Sequence, residues 1–103
     1  MIKIIDGKRY NTATAECVAS FSRGYAGDFD QYSEDLYLTK KGTWFLHGMG
    51  GPMTRWGEGD MQHGRGSGEG IAPLTPAEAR AWLEHNDDVD VLEDHFSDAI
   101  EDA

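Results

Sequence analysis

A single cysteine, Cys17, stands in the whole chain, so an internal disulfide is impossible and a cross-linked secreted scaffold is excluded. That usage fits a reducing cytoplasm. No apolar run approaches the roughly 20 residues of a membrane helix, and Met1-Ile2-Lys3-Ile4-Ile5-Asp6 is too short and too soon charged for a signal peptide. The expectation is a soluble, intracellular protein. Metal-ligand spacings of the HExxH or CxxC kind are missing although four histidines are present, and so is the GxxxxGK[ST] phosphate cradle. No metal, cofactor or nucleotide site is therefore expected. Cys17 has no basic neighbour to activate it and falls within an expected helix, so it reads as a small core thiol and not as a nucleophile. No enzyme is expected.

Positive charge is scarce as well. Lys and Arg number 9 against 19 Asp and Glu, a formal net charge of −10. Affinity for phosphate comes from Lys and Arg, so this balance argues against direct nucleic-acid binding and favours basic protein surfaces. The distribution is uneven: no Lys or Arg follows Arg80, whereas Glu84, Asp87, Asp88, Asp90, Glu93, Asp94, Asp98, Glu101 and Asp102 all do. Solubility or a solvated helix face is the plain explanation. The functional one is a row of negative charge that partly imitates a phosphate backbone, since acids three or four residues apart on a helix rise roughly 5 to 6 Å per step. Asp28, Asp30, Glu34 and Asp35 would form a second patch.

At 103 residues, with 39% apolar and 11% aromatic side chains, the chain reads as one domain, 1–103, with enough core to fold. The centre is a β-hairpin from Glu34 to Gly48, with Lys40-Lys41-Gly42 as its turn. Alternation puts Leu36 and Leu38 on one face and Tyr37 and Thr39 on the other; Trp44 and Leu46 share a face on the return strand, opposite Thr43, Phe45 and His47. Ahead of it, Ile2 to Tyr10 reads as a small hairpin turning at Asp6-Gly7. Asn11 or Thr12 then caps a helix over Thr12 to Ser22, ending near Gly24. Tyr25 to Tyr32 is a connecting loop whose aromatics either lid the core or meet a partner. The glycine density of 57–70 predicts a flexible loop.

Ile71 to Leu74 reads as an edge strand, because Pro73 cannot donate to a central ladder. Thr75-Pro76-Ala77-Glu78 is a helix start with a capping box, and Ala79, Trp82 and Leu83 make the apolar face of a helix running to about His85. Asp87 or Asp88 caps a last helix, with Val89, Leu92, Phe96 and Ile100 as its buried stripe.

The segments Ile5 to Thr12, Leu36 to Gly48, Gly50-Gly51-Pro52 and Pro73 to Trp82 together resemble a group of small acidic proteins of bacterial mobile elements and phages, which includes anti-CRISPR proteins. The resemblance implies an inhibitor of a Cas effector, and it carries no catalytic residue across. The expected fold is α+β: a small antiparallel sheet of two hairpins packed with one N-terminal helix and two C-terminal helices. The expected activity is binding to a basic, nucleic-acid-binding surface through Asp28, Asp30, Glu34, Asp35, Asp87, Asp88, Asp90, Glu93, Asp94, Asp98 and Glu101. The alternative is an interaction module of a mobile element contacting its partner through Tyr25, Phe29, Trp56 and Met61.

Overall fold

The computed structural model describes residues 1–25, 28–60 and 64–103. Its centre is an antiparallel sheet in the order β3 (Glu16–Arg23), β4 (Tyr32–Leu38), β5 (Trp44–Gly50) and β8 (Gly68–Leu74). β4 and β5 form the expected hairpin: Leu36 faces Leu46, Leu38 faces Trp44, and Gly42 takes a φ of 87° in the turn. The opening strands β1 (Ile2–Ile5) and β2 (Lys8–Asn11) turn through Asp6 and Gly7, both at positive φ, and make a separate two-stranded sheet. A third, also two-stranded, joins β6 (Glu58–Asp60) to β7 (Gly64–Gly66). After β8 come α1 (Pro76–His85), α2 (Val89–Phe96) and a short 3-10 turn, Ser97–Ala99.

This overturns the expected arrangement of two hairpins in one sheet with an N-terminal helix. Among the described residues there are eight strands in three sheets, and both α-helices follow the last strand. The segment expected as a helix, Thr12 to Ser22, holds one turn and then β3. Asn11 does cap, but it caps that turn: its side chain accepts from the amide of Ala13 at 2.9 Å, and its carbonyl from those of Thr14 and Ala15. The small residues of β3 fit either periodicity, so tertiary pairing decides. As a helix, this segment would leave the outer side of β4 without a partner along seven register positions, and unpaired backbone groups are costly. Cys17 is consequently exposed on a strand, not buried in a helix.

Within the glycine-rich stretch 57–70 lie β6, β7 and the start of β8. Its glycines answer a packing demand. Gly48 pairs with Gly70 and Gly50 with Gly68 across β5 and β8, leaving a bare patch on the helix-covered face. The Trp56 ring lies on that patch: a Cβ at Gly48 would overlap the indole, and one at Gly70 would touch it at 3.6 Å.

Leu36, Leu46, Trp44 and Ala19 from the sheet meet Ala79 and Leu83 of α1 and Trp56 of the connecting loop in one core. Each fully buried Leu contributes roughly 1.5–3 kcal/mol. An exposed pair such as Arg80 with Glu84 contributes about 0–1, so burial and not surface charge holds the helices down. In α2 the packed residues are Val91, Leu92 and Phe96, with Phe96 stacked on Trp44 at 5.3 Å. Val89 and Ile100, expected in that stripe, are exposed, since the helix begins at Val89 and the chain leaves it before Ile100. On the other face of the sheet Phe45 is wholly buried between Tyr37, stacked at 5.1 Å, and Tyr10 of β2, edge-on at 5.4 Å. Tyr10 thus fastens the small opening hairpin to the main sheet.

Two outcomes follow. Gly48→Ala should lose about 1–3 kcal/mol in urea denaturation by forcing the indole off its seat, whereas Gly66→Ala, with nothing near its Cβ, should change stability by less than about 0.5. The capping box of α1 is complete, with Glu78 accepting from the Thr75 amide at 2.9 Å and Thr75 from the Glu78 amide at 3.1 Å. The Thr75 amide holds the Glu78 carboxyl below its ordinary value of 4.5. This contribution is full above that value and fades as pH falls through the lower folded one, so the thermal midpoints of wild type and Glu78→Ala should converge in acid.

Candidate partner-binding surface

Glu34 lies on β4 two residues before Leu36, so alternation aims it at the core, in register with Gly48. It is buried, and its two carboxyl oxygens accept one indole N–H each: Trp56 Nε1 at 2.7 Å and Trp82 Nε1 at 2.8 Å. One side chain therefore ties the connecting loop and α1 to the middle of the sheet. Thr54 shapes that loop by donating its hydroxyl to the Gly51 carbonyl and accepting from the Trp56 amide. Arg55 lies over the Trp56 ring, 4.9 Å from its centroid.

Outside this clamp runs a groove of about 680 Å³. Asp28, Asp30 and Tyr25 border it from the loop before β4, Met53 and Arg55 from the loop after β5, and His85 from the end of α1. A second groove, of about 860 Å³, passes between Phe29, Met49 and the backbone of 66–69. Tyr25, Phe29 and Met53 are 83%, 70% and 73% exposed, so large apolar side chains rim both depressions.

The eleven acids expected at a partner surface separate into four groups. Glu34 is buried, with both carboxyl oxygens taken by the indoles, at the floor of the first groove. Asp35 points to the opposite face of the sheet, where its Oδ2 is 3.9 Å from His47 Nδ1. Glu69 Oε2 stands 3.2 Å from the other ring nitrogen but out of line for a hydrogen bond. Burial, with Cys17 and Asp35 alongside, raises the Tyr37 hydroxyl on the same face above its ordinary range. Among the described residues no cluster there could hold a metal ion.

Three more acids hold turns. Asp28 accepts from the Tyr25 amide at 2.9 Å, Asp87 carries a φ of 55° just past α1, and Asp88 caps α2 by accepting from Val91 at 3.3 Å. The remaining six are exposed: Asp90, Glu93, Asp94, Asp98 and Glu101 on α2 and the segment after it, and Asp30 at the groove. Arg23 and Arg55 line the groove beside Asp28 and Asp30, which weakens that patch. Asp35 and Glu34 stand on opposite faces of the sheet and so do not form one patch. Trp56, expected as an aromatic contact, is buried, and Met61 lies outside the described residues.

The clamp was missed by sequence reasoning, although a signal existed: Glu34 shares its strand face with Leu36 and Leu38. Glu34→Gln keeps the shape but turns an amide N–H₂ towards one of two indole donors. It should cost about 1–3 kcal/mol in chemical denaturation and shift the tryptophan fluorescence.

Among the described residues no helix is long and apolar enough to cross a membrane. Compared with known proteins, the chain matches no family model, no curated protein and no solved structure.

Proposed function

We propose that the protein is a non-enzymatic inhibitor that works in the bacterial cytoplasm by docking on a basic, nucleic-acid-binding surface of a Cas effector or similar defence protein. The supporting observation is the exposed row Asp90, Glu93, Asp94 and Asp98, in a chain whose last cation is Arg80. Among the described residues the one Lys or Arg ion pair is Arg80 with Glu84, so the row keeps its charge for a partner. The contact is smaller than a full imitation of nucleic acid. On α2 itself Asp90, Glu93 and Asp94 span about 6 Å, against one charge per about 1.7 Å of duplex axis. Such a row steers and orients association more than it supplies affinity.

A second reading has its own support. The exposed Tyr25, Phe29 and Met53 around the grooves are the kind of apolar rim that protein partners cover. On that view the acids serve solubility, and the contact is apolar.

Affinity capture from a CRISPR-bearing bacterial lysate separates the two. With wild-type bait a cationic effector should be retained, then released at about 1 M salt, where the screening length falls to about 3 Å. The bait carrying Asp90→Asn, Glu93→Gln, Asp94→Asn and Asp98→Asn should fail to retain it. Retention undiminished by those four changes but lost with Tyr25→Ala and Phe29→Ala would replace the first reading with the second.

A further inference from the structure

β3 ends the four-stranded sheet, and among the described residues no strand pairs with its outer side. A row of backbone N–H and C=O groups on such an edge is a template for another strand. The opposite edge, β8, is blunted by Pro73, and Glu58 of the β6 hairpin packs against it at Gly68. β3 contains neither proline nor lysine, the residues that most often discourage pairing.

We propose that β3 pairs antiparallel with β3 of a second copy of this chain about a two-fold axis, joining two four-stranded sheets into one of eight strands. The register with β4 assigns each side chain to a face. Glu16, Ala19, Phe21 and Arg23 lie opposite Leu38, Leu36, Glu34 and Tyr32, on the helix-covered face. Cys17, Ser20 and Ser22 lie opposite Tyr37, Asp35 and Ser33, on the other. The register shift between Cys17 and Ala19, which leaves Val18 as the extra residue, reverses the parity of the strand's first two residues.

Residues facing each other across an antiparallel pair must share a sheet face, which leaves few registers. Centred on Ser20, Ala19 meets the second copy's Phe21 and Cys17 its Ser22, with Val18 again bulged. Glu16 then meets Arg23. By symmetry this opposite-charge pair forms twice, once at each end of the contact, and every residue of the strand but the bulged Val18 is paired. Centring on Ala19 sets Glu16 against Phe21, and centring on Phe21 sets Arg23 against Ala19, so neither matches the charges. Repulsion between two acidic chains opposes association, but charges farther apart than about 8 Å are largely screened at physiological salt, whereas the edge contact is local.

The test is the solution mass of the full chain by sedimentation over a wide concentration range. Wild type should reach twice 11.4 kDa at high concentration. Arg23→Glu should raise the dimer dissociation constant about tenfold or more, and adding Glu16→Arg should restore it. A monomer at every concentration overturns the proposal, and so does a dimer indifferent to Arg23→Glu. Should either charge variant fail to fold by circular dichroism, Ser20→Cys in a Cys17→Ser background gives a second measurement. Mild oxidation should link it into a covalent dimer, because the two Ser20 positions face each other; no such link in a protein of dimer mass overturns the register.

Discussion

A carboxyl group held between two indoles is the constraint on which the rest of this structure depends. Glu34 sits where a strand's alternation requires an apolar residue, and it is tolerated because Trp56 and Trp82 satisfy both of its oxygens. The two indoles arrive from different parts of the chain, one from the loop after β5 and one from α1. Their N–H groups need an acceptor as much as the carboxyl needs donors. Removing any one of the three leaves a polar group buried without a partner, and that asymmetry makes the trio a stronger organiser than its net stabilisation suggests.

The glycine floor follows from the same constraint. For the Trp56 indole to reach Glu34 it must lie flat against β5 and β8, and any side chain at Gly48 would stand in its place. Glycines that look like a loop in the sequence are thus the seat of a large aromatic ring. Around the seated ring, the loops on either side of β4 and β5 carry Tyr25, Phe29 and Met53 outward. The fold therefore has a rigid interior clamp and an apolar rim just outside it, with the acidic α2 on the helical layer.

What could be read from the sequence was local. Leu36, Trp44 and Leu46 alternate strongly enough to define the central hairpin, and Thr75-Pro76-Ala77-Glu78 states a helix start through capping chemistry that needs nothing from elsewhere. β3 was illegible because Val18, Ala19 and Phe21 suit a helix face as well as a strand; the need of β4 for an outer partner settles the matter, and that need is non-local. The strands within the glycine-rich stretch were illegible for the same reason, as its packing partner is a tryptophan brought there by tertiary structure. Charge counting found the exposed acids of α2. It also gathered Glu34 and Asp35 into one patch, although neighbours on a strand point to opposite faces.

Exchange of the tryptophan indole protons with solvent, followed by NMR on the intact protein, tests the Glu34 clamp most directly. Trp56 and Trp82 should exchange far more slowly than an exposed indole, and their Nε1 signals should both move when Glu34 is replaced by Asp. Exchange at the rate of an exposed side chain for either ring, in a protein otherwise folded, would contradict the clamp and the arrangement of loop and helix built on it.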